Sequence, residues 1–421
     1  MNTYLKTFQC ILWNISGERT KKIDAEKLIV CGVCTDICIL HTVADARRYG
    51  FGVEVPIECV DSFDRRAHFF ALQHMEKVLG AKLVYPEISL VQPRFKTTQE
   101  VLTGDTADIY FVRTVEILKK EGVNPVATME VFARHTGILC GMKEVKTLLL
   151  QVLPVNKSEV WALSEGDDFE KNEVVQRIKA PYQSYGIYET AYLGMLSHSS
   201  GWATAAWECV KAARGIPVIS FGARHIHPSV VDVMEYSAIV GGCKGCASTI
   251  GACLAGIKPT GTIPHALIII LGGTVRASLI FDKYMPSEVP RIALVDTFED
   301  EVRESINVAK AMHGKLNSVR LDTPSERRRV TANLVKEVRA WLNLEGFGEV
   351  NIVVSGGLDP DRICYFIDEG APVDAFAVGS YISGSRPIDF TADLHEVSGK
   401  LIAKRGRMPG ITENPKLNRI I

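Results

Sequence analysis

At 421 residues the chain is longer than a single domain usually runs, so two or three domains with sizeable cores are expected. A hydrophobic share of 47% beside 23% charged residues is the composition of a folded protein. Lys plus Arg (48) against Asp plus Glu (49) leaves a formal charge of -1, so no overall field draws in nucleic acid or anionic lipid, and any anionic ligand must be held by local charges.

The longest apolar runs, such as Ala266 to Leu271, fall well short of the roughly 18 to 20 residues of a membrane span, and Lys6 and Gln9 interrupt the N-terminus. Eleven scattered cysteines fit reduced thiols in a cytoplasmic protein. Residues 1 to 22 show no clear period. Leu28 to Cys31 then reads as a strand leading through Gly32-Val-Cys-Thr-Asp-Ile-Cys38 into a helix, Tyr49 to Pro56 as a strand, and residues 63 to 79 as a helix. Two strands and two helices are about half of an ordinary α/β domain.

A linker with Pro86 and Pro93 follows, placing a boundary near residue 95. From Asp105 the chain runs into a helix ending near Gly122, Glu159 to Leu163 is strand-like, and Glu189 to Ala213 is one long helix rich in small residues. Residues 96–215 are expected to form an α+β layer, completed by the basic tail 386–421. Between 216 and 385 short apolar runs repeatedly end in polar residues and lead into helices. These runs are Pro217 to Gly222, Thr262 to His265, Ile292 to Asp296, Val319 to Asp322, Ile352 to Ser355 and Phe376 to Gly379, with Ala238 to Gly242 a further candidate. Six or seven such units predict a parallel α/β barrel with its site at the C-terminal strand ends.

The loops Ser355-Gly356-Gly357-Leu358-Asp359 and Val378-Gly379-Ser380 each follow an apolar strand and close the series. Glycine lets backbone N–H groups turn toward an anion, so phosphate binding is expected there. Arg224 stands just past a strand end, where a guanidinium can hold a carboxylate or phosphate. Asp322 and Asp296 sit at strand ends and suit ribose hydroxyls, a Mg2+ ion or helix capping. His265 beside a proline turn could act as acid, base or phosphate acceptor, or be structural. Cys243 and Cys246 have metal-like spacing but no second pair, and small side chains in a Gly-rich turn explain them. Cys38, at a helix start, is either a nucleophile or a buried structural thiol.

Taken in order, Asp108-Ile-Tyr110, Glu189-Thr190, Ser200-Gly201-Trp-Ala203-Thr204, Phe221-Gly222-Ala-Arg224, Gly261-Thr262-Ile-Pro-His265, Arg320-Leu-Asp322-Thr323, Ser355-Gly356-Gly357-Leu-Asp359 and Val378-Gly379-Ser380 resemble the nicotinate phosphoribosyltransferases of the shorter microbial type, over residues 105 to about 410. The resemblance implies an irregular seven-stranded barrel plus an α+β domain, and a homodimer with active sites at the subunit interface. It implies joining of nicotinate to 5-phosphoribosyl 1-pyrophosphate, with Mg2+ and ATP. Within it His265 is the histidine phosphorylated by ATP, and Arg224 faces the nicotinate carboxylate or pyrophosphate. Tyr110 stacks on the pyridine from the partner subunit, and Asp322 lies near the ribose. Arg320, Thr323, Ser355, Gly356, Gly357, Gly379 and Ser380 hold the phosphoribosyl donor, and no metal-ligating side chain is assigned.

Residues 24 to about 84 are similar to the C-terminal part of the nicotinamidase and isochorismatase-like hydrolases, through Val33-Cys-Thr35-Asp36-Ile-Cys38 and Val43-Ala-Asp45-Ala46. Cys38 matches their nucleophile, and the bond before Cys34 a cis peptide. Their catalytic aspartate and lysine lie upstream, so Cys38 is expected to be vestigial, without amidase activity. The alternative activities are quinolinate phosphoribosyltransferase and a cysteine amidase with a nucleotide-binding C-terminal region.

Overall fold

A computed structural model describes residues 26–84 and 95–421. The expected linker around Pro86 and Pro93, and the period-free stretch 1 to 22, lie outside the described residues. The chain divides into two compact units, residues 1–91 and 92–421.

In the first unit Lys27–Ile29, Gly52–Pro56 and Lys82–Val84 form a three-stranded parallel sheet with Gly52–Pro56 in the middle. Val53 and Val55 alternate with half-exposed residues along the central strand, which is how a sheet presents one face to a core. That core is built from Val43 and Ala46 of the helix Leu40–Arg48 and from Leu72 and Met75 of the helix Arg65–Lys77.

The second unit holds two sheets. One is antiparallel, in the order Lys400–Leu401, Phe390–Val397, Val126–Ala133, Val174–Pro181, Glu159–Ala162, Asn418–Arg419. The polar tail supplies the strand that pairs with Val126–Ala133, with Phe390 opposite Ala133. The helix Glu189–Ala212 lies against this sheet, and Tyr192 and Leu196 are fully buried in the shared core. Its small residues permit close approach: a Cβ on Gly201 would come within 2.5 Å of the Arg386 carbonyl oxygen. Trp202 Nε1 then donates to the Ser383 carbonyl oxygen, tying the helix to the second sheet (3.2 Å).

That second sheet is parallel: β1 Val218–Ser220, β2 Gly245–Cys246, β3 Ile292–Leu294, β4 Ser318–Leu321, β5 Asn351–Ser355 and β6 Ala375–Val378, in the spatial order β2-β1-β6-β5-β4-β3. Val319, Ile352, Val354 and Phe376 are fully buried between the sheet and its helices, and burying each such side chain contributes about 1.5–3 kcal/mol. The sheet curls into a half-barrel. The Arg320 guanidinium at the end of β4 lies 5.7 Å from the Phe221 ring centre after β1, although two strands separate β4 from β1.

Two expected strands take other forms. Ala238 to Gly242 belongs to the end of the helix Val231–Val240, because Met234 and Ala238 follow helical spacing into the core. Thr262 to His265 belongs to an irregular segment, 260–265: Thr260 N donates to the Cys246 oxygen at the β2 edge (2.8 Å) and Ile263 N to the Ile292 oxygen at the β3 edge (3.3 Å). Pro264 has no N–H to continue a ladder, and His265 opens the helix His265–Leu271. The described parallel sheet therefore has six strands rather than seven, with this segment bonded to both of its edges. Among the described residues no single helix is long and apolar enough to cross a membrane.

Candidate functional site

The residues singled out from β-strand ends converge at the C-terminal end of the parallel sheet, where successive loops lie side by side. His265 Nε2 bonds Asp296 Oδ1 (2.9 Å), just past β3. A carboxylate acceptor puts the proton on Nε2, which leaves Nδ1 for another partner. Asp296 Oδ2 accepts from the Asp322 backbone N–H after β4 (3.0 Å). Asp322 in turn accepts from the Ser355 hydroxyl at the end of β5 (2.9 Å) and from Arg320 Nη2 (3.3 Å). One chain of hydrogen bonds thus crosses three neighbouring strand ends and fixes both carboxylates. Burial raises the Asp296 carboxyl above its ordinary value, opposed by His265 and reinforced by Asp322.

Arg320 is nearly buried, with 11% of its side chain exposed, and its Nε has no hydrogen-bond partner among the described residues. Burial lowers its pKa, Asp322 and Asp296 oppose that, and the positive charge of Arg224 adds to it. Arg224 itself is exposed, in the turn Ala223–His225 after β1, and its Nε approaches His225 Nε2 (3.4 Å). Arg320 reaches the Phe221 ring (5.7 Å) and Arg224 belongs to the same β1 loop, so two guanidinium groups stand at one mouth, one nearly buried and one open to solvent.

The glycine loops are tightly fitted. Gly356 has φ +91° and Gly357 φ +64°, and a Cβ on Gly356 would stand 3.0 Å from Asp322 Oδ1. Gly379 packs so closely on the β1 loop that a Cβ would lie 3.2 Å from the Phe221 carbonyl oxygen. Ser380 follows it as the first residue of a single helical turn, Ser380–Ser383. Thr323 faces elsewhere than expected: its hydroxyl donates to the buried Glu301 (2.7 Å). Tyr110 also stands apart, on the helix Ile109–Lys120, where its contacts are with Asp108 (3.4 Å) and the Phe111 ring (4.3 Å between centres). It is 57% exposed.

Glu301 and the pairing of Asp296 with His265 escaped the sequence reading. Asp296 was visible as a strand-end carboxylate, but nothing in the spacing joined it to a histidine 31 positions away. Cys243 and Cys246 are buried, and burial pushes the Cys246 thiol up to about 12. Among the described residues no three His, Cys, Asp or Glu side chains group as metal ligands.

In the first unit Cys38 lies in the π-helical turn Thr35–Ile39, after a cis Val33–Cys34 peptide. Its thiol has no hydrogen-bond partner among the described residues. The neighbouring polar contacts are Ser62 with Asp36, and His68 Nδ1 with Thr35 Oγ1 (2.8 Å).

Comparison with known proteins agrees with this layout. The quinolinate phosphoribosyl transferase N-terminal domain family matches residues 108–200 and the corresponding C-terminal domain family residues 202–393. The isochorismatase domain family matches 17–84, beginning earlier than the resemblance from residue 24. The crystal structure of nicotinate-nucleotide pyrophosphorylase from Pyrococcus furiosus is 44% identical, with 75% of this chain and 81% of that one covered and a TM-score of 0.70. Nicotinate phosphoribosyltransferase pncB2 of Mycobacterium tuberculosis is 31% identical over 229 residues, 53% of this chain and 48% of that protein. The isochorismatase family protein PncA of Bacillus subtilis is 44% identical over 57 residues, 14% of this chain and 31% of its own length. The chain thus spans about half, or less, of these two curated relatives.

These matches correct the expected nicotinate type. Both domain families are of the quinolinate enzyme and the higher-identity structure is a nicotinate-nucleotide pyrophosphorylase, whereas the nicotinate relative is more distant and covers less. The motifs read from the sequence are those expected to hold the phosphoribosyl donor, so they carry no signal for the second carboxylate by which quinolinate differs from nicotinate. The chain belongs to the quinolinate phosphoribosyl transferase family, with an isochorismatase domain segment ahead of the transferase domains.

Proposed function

We propose that residues 92–421 transfer a phosphoribosyl group from 5-phosphoribosyl 1-pyrophosphate to quinolinate, releasing pyrophosphate and carbon dioxide and leaving nicotinate mononucleotide. The observation that carries this reading is the pair of guanidiniums at one strand-end mouth: Arg320 lies 5.7 Å from the Phe221 ring centre, and Arg224 follows Phe221 in the same β1 loop, in the turn Ala223–His225. A pyridine with two adjacent carboxylates needs two cationic partners, and a forked guanidinium suits each.

Departure of pyrophosphate builds positive charge on the ribose carbon. Asp322, held by Ser355 and Arg320, is a fixed negative group suited to stabilising that charge without reorganising. Gly356, Gly357, Gly379 and Ser380 offer backbone donors to the 5-phosphate. Ring nitrogen then bonds the ribose carbon, the ring loses carbon dioxide, and the vacated carbon takes up a proton. His265, oriented by Asp296, is a positioning and charge-balancing group beside that centre.

The oxygens of Asp296 and Asp322 are already engaged by His265, Ser355, Arg320 and a backbone amide, so these residues do not build a magnesium site by themselves. Mg2+ would accompany the donor's pyrophosphate. The expected ATP requirement came with the nicotinate type, and the transfer to quinolinate written above consumes no ATP. A homodimer in which Tyr110 reaches the partner's site remains part of the proposal, since that ring is exposed in the single chain.

The test supplies the full chain with 5-phosphoribosyl 1-pyrophosphate, Mg2+ and either quinolinate or nicotinate, and measures nicotinate mononucleotide and carbon dioxide. Equal amounts of both products from quinolinate are expected. Nucleotide made from nicotinate alone, without carbon dioxide, would overturn the reading.

A further inference from the structure

We propose that Arg329 is a substrate-binding residue whose guanidinium closes over the Gly356–Gly357 loop and holds the 5-phosphate of the phosphoribosyl donor. This rests on the phosphoribosyl reading above and adds to it a residue outside the strand-end motifs.

The loop after β4 is held rigidly. Pro324 O accepts from both Arg327 N (3.0 Å) and Arg329 N (3.1 Å), and Ser325 O accepts from Arg328 N (3.0 Å). Arg328 and Arg329 both have left-handed backbones, with φ +69° and +60°. Two consecutive non-glycine residues in that region are uncommon and persist only where the surroundings impose them. The surroundings here are Val330, buried, with its carbonyl oxygen accepting from Arg362 Nη2 (2.8 Å).

This backbone sends the Arg329 side chain onto the next strand's loop. Its Nη1 lies 3.4 Å from the Gly357 carbonyl oxygen, and a Cβ on Gly357 would stand 2.8 Å from the same nitrogen. A side chain at position 357 would therefore displace the guanidinium, so the glycine serves the arginine as well as its own φ of +64°. Neighbouring Arg327 is paired with the buried Glu301 (3.7 Å). Arg329 has no carboxylate partner among the described residues, and its one side-chain hydrogen bond there is to that carbonyl. An exposed cation fixed against a glycine turn and lacking a counter-ion suits a phosphate monoester dianion. The fork of the guanidinium meets two of its oxygens while backbone N–H groups meet the others.

Calorimetric titration of the full chain with ribose 5-phosphate, 5-phosphoribosyl 1-pyrophosphate and inorganic pyrophosphate tests this. R329A should weaken the first two by about ten- to a hundred-fold and leave pyrophosphate within about two-fold, with R329K recovering part of the loss. Thermal unfolding checks each variant, and R329Q, which keeps a planar polar end, carries the test if R329A does not fold. Unchanged ribose 5-phosphate affinity, or a loss confined to pyrophosphate, overturns the inference. A wild-type chain that binds neither ribosyl ligand would overturn the phosphoribosyl reading itself.

Discussion

The two units carry chemistry-bearing residues in different settings. At the C-terminal end of the parallel sheet each carboxylate is bonded from a different segment: Asp296 from the His265 segment and from β4, Asp322 from β5 and from Arg320. In the first unit Cys38 belongs to one turn, and its thiol is bonded by no neighbouring element among the described residues. The same unit has strands of three, five and three residues in its larger sheet and leaves Phe63, Phe69 and Phe70 exposed. A nucleophile motif is local to one turn, whereas a charge-stabilising site exists only where several elements meet.

The sharpest way to break this contrast is D322A. It removes the partner of both Ser355 and Arg320 and the negative charge beside the ribose, so kcat in the transferase assay should fall about a thousand-fold. A loss under ten-fold would mean that the bonded carboxylate is not what the site depends on. D296N comes next. It weakens the group that orients His265, and kcat should drop about ten- to a hundred-fold with the donor's KM little changed, as initial rates across donor concentrations would show. G356A tests how closely the loops are fitted. A side chain at φ +91°, 3.0 Å from Asp322 Oδ1, should cost about 1–3 kcal/mol of stability and raise the donor's KM, both measurable on one preparation.

A smaller effect is expected from Glu144, on the helix Met142–Val152. Burial, then the charges of Asp232 and Glu165, raise its carboxyl from 4.5 to about 7. The folded chain thus keeps a proton that the unfolded chain has lost, and this contribution to stability falls as pH rises from about 4.5 to 7. E144Q should flatten that decline and raise the unfolding temperature at pH 8 by a few degrees, roughly 1–2 kcal/mol. A variant with the wild-type pH slope would contradict it. The smallest effect belongs to C38A, which should leave transferase activity unchanged, just as the wild-type chain should not hydrolyse nicotinamide. Hydrolysis abolished by C38A would erase the difference between the units.

Much of this was legible where a residue's role depends on its neighbours in sequence. The Gly356–Gly357 turn, Arg224 after β1 and the long small-residue helix are properties of short windows, and the structure has those elements in those places. The irregular segment before His265 was not legible. Thr262-Ile-Pro has strand-like content, and what prevents a strand is a proline facing two edges that only the folded sheet brings near. The hydrogen bond of the Thr323 hydroxyl was not legible, because its partner Glu301 lies on the preceding helix, a contact set by packing. Quinolinate and nicotinate chemistry differ by one carboxylate, and a single cation such as Arg320 is not distinguished by motif from one that binds phosphate.

The strand order has a consequence during synthesis. β1 pairs with β6, and Val126–Ala133 pairs with Phe390–Val397, so each sheet has a strand that waits for a partner more than 150 residues later in the chain. While the ribosome is still delivering the middle of the protein, both waiting strands present open hydrogen-bonding edges. Neither a phosphate nor a pyridine can be gripped by the growing polypeptide, because the Phe221 loop and Gly379 become neighbours only once β6 has emerged. The nascent chain therefore has a long interval in which chaperone protection matters most, and it ends when residues near 397 clear the exit tunnel.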